Sequence, residues 1–224
     1  MANKRKILNI QDATLWYLVG LITTDGCLSL DGRHIDITAK DCCFLQRLKE
    51  KAGLKNKIGI KNQGKPNEAY HIQLSNKNLY EFLASIGLTP TKSLIQKDID
   101  VPDRYFIDFC RGVIDGDGSI RKWLHPSNKA EQWSLRIYSS AFVFITWLQK
   151  EIQRLLLAKG RIHRSKQKSK ANIYVLKYGK IAAKNILQSC YYQKALAMER
   201  KAALAKECCL SGSGWKNYKA AVLN

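Results

Sequence analysis

One nine-residue stretch occurs twice in this chain. The first copy reads Leu18-Val19-Gly20-Leu21-Ile22-Thr23-Thr24-Asp25-Gly26, and the second reads Cys110-Arg111-Gly112-Val113-Ile114-Asp115-Gly116-Asp117-Gly118. Each has glycine third, two aliphatics behind it and Asp-Gly at the end. Asp25 and Asp117 are 92 residues apart, the span of a small domain rather than of a solenoid repeat. The apolar residues predict a helix, and the glycine after each aspartate suits its C-terminal exit. Gly20 and Thr24 are four apart and share a helix face, as do Gly112 and Gly116. A glycine inside a helix costs roughly 1 kcal/mol against alanine, so a close helix–helix contact is expected to offset it. The two helices should therefore pack together and deliver Asp25 and Asp117 side by side.

Two carboxylates at helix C-termini face the negative end of the helix dipole and oppose each other's ionisation. Divalent cations relieve both effects, and hard oxygen donors favour Mg²⁺. Thr24 and Gly116, which immediately precede the aspartates, complete the candidate metal-binding set. Near a phosphate, such ions activate water and stabilise a leaving oxygen. The competing reading is a pair of buried helices that end in Asp-Gly turns; the matching small faces of two copies weigh against it.

The two stretches resemble the paired motifs of the LAGLIDADG homing endonucleases in their single-chain form, over roughly residues 12 to 206. Cys110–Gly118, followed by Ser119, is the closer match; the first copy departs at Thr23, where the pattern usually has an acid. The resemblance implies an α+β fold: two pseudo-symmetric αββαββα units forming a saddle of antiparallel sheets, with the motif helices at the centre. The halves are expected at residues 1–100 and 101–224, meeting near Pro102. The implied activity is site-specific, metal-dependent hydrolysis of both strands of a long, asymmetric DNA target by a monomer. The implied catalytic residues are Asp25 and Asp117, with a basic residue after the last helix of each half: Lys92, and Lys194 with Arg200 and Lys201 as rivals. An RNA-binding intron maturase on the same scaffold is the alternative, and a DNA-binding regulator with an inactive nuclease fold is a third reading. Both aspartates are retained, which favours cutting.

Composition agrees with a polyanionic partner. The chain of 224 residues has 38 Lys+Arg against 18 Asp+Glu, a formal charge of +20, which points to nucleic acid. No apolar run approaches the ~20 residues of a spanning helix, and the basic start, Met1 to Lys6, lacks the apolar stretch of a secretory leader. The seven cysteines include no Cys-x-x-Cys, so neither a zinc knuckle nor a disulfide framework is expected. Reduced cysteines and an intracellular location follow.

The DNA-reading face comes from strand alternation. Each half is expected to supply two β-ribbons with one polar face, and such a ribbon fits the major groove. The candidates are Ser29, Arg33, His34, Asp36, Lys57, Lys61, His71 and Gln73 in the first half. The second half offers Arg121, Ser134, Arg136, Tyr138, Arg161, His163 and Ser165. Lysines are assigned to phosphates and the other types to base edges. Residues 123–129 are expected to form an extended hairpin loop, and the last helix to run from about Gln193 to Cys209. Residues 173–178 are nearly all apolar, so periodicity does not assign their faces.

Overall fold

The computed structural model describes residues 12–90, 98–165 and 172–212. Within them the first half runs α1 (Ala13–Thr24), β1 (Gly26–Leu28), β2 (His34–Ala39), α2 (Cys42–Lys51), β3 (Ile58–Lys61), β4 (Ala69–Ser75) and α3 (Lys77–Ser85). After a 3-10 turn at Asp103–Tyr105, the second half follows the same order. It runs α4 (Phe106–Asp117), β5 (Gly118–Leu124), β6 (Glu131–Ser139), α5 (Phe142–Leu156), β7 (Arg161–Arg164), β8 (Tyr174–Gly179), α6 (Lys180–Cys190) and α7 (Glu199–Leu210). Two antiparallel four-stranded sheets result, in the orders β1-β2-β4-β3 and β5-β6-β8-β7. The architecture is the expected α+β pair of αββαββα units.

Local chemistry explains the helix starts. The side chains of Asp12, Asp41 and Asn76 accept from the backbone N–H of Thr14, Phe44 and Leu79, satisfying donors that a helix start leaves orphaned. Gly87, at φ +108° after α3, takes a backbone conformation that other residues rarely adopt.

The two motif helices pack face to face through glycine. A Cβ on Gly20 would lie 2.2 Å from the carbonyl oxygen of Phe109, and one on Gly112 would lie 2.2 Å from that of Tyr17. No side chain fits there. The strands then hang from the helix ends with matching core rows. Gly26 stands opposite Ile37, Ile37 opposite Ile72, and Ile72 opposite Ile58. In the second sheet the row is Gly118, Ile137, Leu176 and Ile162. Ile37, Ile72, Ile137 and Leu176 are buried, and each full burial stabilises by roughly 1.5–3 kcal/mol.

Two sequence expectations are corrected and one open assignment is made. Trp123 and Leu124 belong to β5, so the second hairpin gains paired strand as well as loop. The last helix starts at Glu199, not near Gln193, because Lys194 takes a left-handed φ of 63°, which does not continue a helix. The faces of β8 are now assigned: Leu176 and Tyr178 are buried in the core, while Lys177 is exposed on the other side.

Candidate active site and nucleic-acid interface

Asp25 caps the C-terminus of α1 and Asp117 is the last residue of α4; both are exposed. The helix contact continues to this point. A Cβ on Gly116 would overlap Thr24, whose Oγ1 lies 1.9 Å from that position, and would come 3.4 Å from Oδ2 of Asp25. The Asp25 carboxylate therefore lies directly over the last turn of α4. The glycine at 116 keeps that approach open.

Beneath the aspartates lies a polar cluster that the motif pattern did not reveal. Asp115 is 1% exposed. Its Oδ1 accepts from the Tyr191 hydroxyl at 2.7 Å, and its Oδ2 accepts from the Tyr17 hydroxyl at 2.7 Å and the Met198 N–H at 2.8 Å. Burial raises the Asp115 pKa above the ordinary carboxylate range, against the lowering effect of those bonds. Burial, reinforced by Asp115, also pushes up the phenols of Tyr17 and Tyr191. Arg111, also 1% exposed, pairs with Asp108 at 2.8 Å and donates to the carbonyls of Cys190 and Leu196. Its guanidinium lies over the rings of Tyr17 and Tyr192. Removing one partner of such a buried pair is costly, since it strands a buried charge.

This network staples residues 190–198 to α4 and thereby places Lys201, in the first turn of α7. Lys201 is 3% exposed. Its ammonium donates to the carbonyls of Ile114 at 2.8 Å, Gly116 at 3.0 Å and Asp115. A cation at these last-turn carbonyls offsets the negative helix end beneath Asp117. Burial is the chief influence on Lys201 and pushes its pKa down to about 8, with Arg200 adding; Asp115, Asp25 and Asp117 act in the opposite sense. Of the basic residues weighed for this half, Lys201 is the one packed against the motif. Lys194 is exposed in the connector. Lys92 lies outside the described residues.

The donors at the helix ends fit a hard, water-rich cation and not a closed protein cage. Among the described residues no group of three or more His, Cys, Asp or Glu side chains converges. Two carboxylates at adjoining helix ends suit Mg²⁺, which retains waters and completes its shell with substrate phosphate. Thr24 and Gly116 lie against each other there, and the Gly116 carbonyl also serves Lys201.

The polar faces of the sheets extend outward from this centre. Arg33, Lys57, Gln73, Arg121, Arg161 and His163 are exposed, and Ser29, Tyr138 and Ser165 are half-buried. His34 pairs with Asp31 in the first hairpin turn. Lys61 and His71 are both bonded to Asp36. Ser134 is corrected: it is 1% exposed, with an Oγ that has no partner among the described residues. Its side chain is too short to reach past Arg121, its cross-strand neighbour, and Gln132 and Arg136 along its own strand. Arg136 is half-buried and its Nε also lacks a partner among the described residues. One exposed candidate was missed. Lys177 stands opposite both Arg136 and Arg161. The same 104-residue offset that carries Tyr70 onto Tyr174 carries Gln73 onto Lys177, so the repeat held the signal.

Comparison with known proteins agrees with this architecture. The LAGLIDADG-like domain family matches residues 12–87. No curated protein matches in sequence. Among solved structures, the homing endonuclease I-WcaI bound to its DNA recognition sequence superposes with a TM-score of 0.61 at 12% identity, over 89% of this chain and 87% of that one. Mesophilic variants of the homing endonuclease I-DmoI give 0.53 at 20% identity, over 81% and 97%. Full-length DUF199/WhiA from Thermatoga maritima gives 0.55 at 14% identity over 90% of this chain, which spans only 62% of that protein. The fold is thus not confined to proteins named as endonucleases. No helix among the described residues is long and apolar enough to cross a membrane. The first half thus matches the LAGLIDADG-like domain family across its motif, and the second half repeats the same order of elements with its own motif helix packed against the first.

Proposed function

We propose that this protein is a site-specific endonuclease that cuts both strands of double-stranded DNA, with Mg²⁺ as its cofactor. The observation that carries the proposal is the pair of aspartates, Asp25 and Asp117, brought to adjoining helix ends by a glycine contact that excludes any larger side chain. A protein that only binds DNA has no need for two converging carboxylates. Asp25 and Asp117 would hold the metal, with Thr24 and Gly116 beside them. When bound, the metal supplies an activated water and stabilises the leaving oxygen.

The chain's own residues prepare that place. Lys201 neutralises the end of α4 and is held in position by the Asp115 and Arg111 network. The similar endonuclease I-WcaI holds its DNA recognition sequence, and the +20 charge of this chain supports the same class of partner here. The halves, residues 1–100 and 101–224, would each cover one half-site, so one chain acts as a monomer on an asymmetric target. Lys92 is kept as the basic residue of the first half.

Binding without cutting is the second reading. It is favoured by the hold of Lys201 on the Gly116 carbonyl, which competes with a metal for that oxygen, and by the fold shared with WhiA. Selection of cleaved sites from a randomised DNA library with Mg²⁺ tests the choice. Cleavage of a defined site supports the endonuclease. Selective DNA binding with no cleavage under any divalent metal establishes the second reading, and tight binding of RNA alone points to a maturase.

A further inference from the structure

On the polar face of the first sheet, four side chains close into one cluster. Asp36 Oδ1 accepts from the Lys61 ammonium at 2.6 Å and the Thr38 hydroxyl at 2.9 Å, and its Oδ2 lies 2.7 Å from Nδ1 of His71. Burial alone would raise the Asp36 pKa, but the bonds from Lys61, His71 and Thr38 outweigh it and hold the carboxyl below its ordinary range. Asp36 is therefore ionised at neutral pH.

The ionised state decides the chemistry of His71. A carboxylate only accepts hydrogen bonds, so Nδ1 of His71 must carry the hydrogen. In a neutral imidazole the other nitrogen, Nε2, is then an acceptor. The position of Nε2 is equally defined. His71 is paired across strands with Thr38 on β2 and Gly59 on β3. A Cβ on Gly59 would stand 2.5 Å from Nε2. The ring thus lies on the polar face of the sheet over a strand position that has no side chain, with Nε2 beside Gly59.

We propose that His71 reads an exocyclic amine in the major groove, cytosine N4 or adenine N6, by accepting its hydrogen at Nε2, with Asp36 as the positioning residue that fixes the tautomer. These amines are the donors that bases present in that groove. The proposal rests on DNA binding by the sheet, as set out above. It also accounts for an acid on a face that must approach a polyanion: Asp36 aims a histidine and its charge is matched by Lys61. In the second sheet the corresponding row is Tyr138, Val175 and His163, so the position of His71 is taken by valine. The contact belongs to one half-site only and contributes to target asymmetry.

Two measurements test it. The first uses the full chain without DNA, labelled with ¹⁵N-histidine. Long-range ¹H–¹⁵N spectra at the assay pH should show His71 protonated at Nδ1 and bare at Nε2, and Asp36→Asn should weaken that bias. An Nε2–H tautomer, or an imidazolium, overturns the proposal whether or not DNA is bound. The second selects bound sites from a randomised library with wild type, His71→Ala and His71→Gln. Wild type should require cytosine or adenine on one strand at one position of the first half-site. His71→Ala should relax that preference about tenfold, and His71→Gln, whose amide oxygen also accepts, should restore part of it. No relaxation at any position, or a preference for guanine there, overturns the assignment. If wild type selects no DNA while the spectra give the stated tautomer, the DNA-binding reading has failed and the proposal falls with it.

Discussion

The two sheets share a backbone and differ in charge. In the first, the polar row nearest the motif helices is Cys27, Asp36 and Gln73. In the second, the same row is Ser119, Arg136, Lys177 and Arg161. One strand position away, the core rows are alike: Gly26, Ile37, Ile72 and Ile58 against Gly118, Ile137, Leu176 and Ile162. Packing explains the likeness. A buried row must fill the same space beneath the same pair of helices, and departures cost on the order of 1 kcal/mol per methylene. The polar row carries no such constraint, so the halves were free to diverge there.

That divergence has an energetic reading. Like charges opposite each other across strands are destabilising by roughly 0.2–1 kcal/mol per pair. Arg136, Lys177 and Arg161 form no ion pair among the described residues. A row of three cations is tolerable where an anion completes it. The first sheet instead balances Asp36 with Lys61 internally. On the proposed reading, the second half anchors a polyanion and the first discriminates.

The largest expected effect tests where the halves remain equivalent. Asp25→Asn and Asp117→Asn should each abolish double-strand cleavage, by at least ~10²–10³-fold, while binding of the selected site stays within a few-fold of wild type. Cleavage assays with Mg²⁺ beside gel-shift titrations measure both. Normal cutting by either variant would remove that aspartate from the active site and break the symmetry at its centre.

Next comes the helix contact itself. Gly112→Val places a side chain where even a Cβ falls 2.2 Å from the Tyr17 carbonyl oxygen. Overpacking costs about 1–3 kcal/mol or more, and backbone leaves little room to yield, so the melting temperature should drop by roughly 5 °C or more. Leu135→Asp, at a fully buried position of β6, should unfold the chain. A folded, DNA-binding Leu135→Asp protein would mean that the faces of this strand are reversed.

Charge removal sharpens the difference between the sheets. Replacing Arg136, Lys177 and Arg161 together by Gln should reduce the salt slope of DNA binding by nearly three units if all three meet phosphates. Arg136→Ala alone should cost about 1–3 kcal/mol and relax one base position if it instead reads guanine. Affinities for the selected site and its single-base variants, at several salt concentrations, separate the outcomes. The smallest effect is expected in the first half. Lys57→Ala should weaken binding to all sequences alike and lower the salt slope by about one unit.

The sequence alone carried much of what depends on neighbours along the chain. The caps at Asp12 and Asp41, the turn at Asp31-Gly32 and the alternation of Ile35 and Ile37 are local, and the structure follows them. The repeat also encoded the helix pairing, because glycine at a helix interface has few other uses. Tertiary structure decided what depends on distant contacts. Lys194 and Lys201 are equally basic in sequence, but only Lys201 is drawn against the motif helix, by bonds spanning more than eighty residues. Asp115 looks like a third motif acid until Tyr17, Tyr191 and Met198 close over it. Alternation placed Asp36 and His71 on a polar face; only the register of three strands joined them to Lys61. The physical reason is range. Backbone hydrogen bonds and hydrophobic periodicity act within a few residues, whereas the protonation and aim of a side chain depend on whatever the fold brings within 3 Å of it.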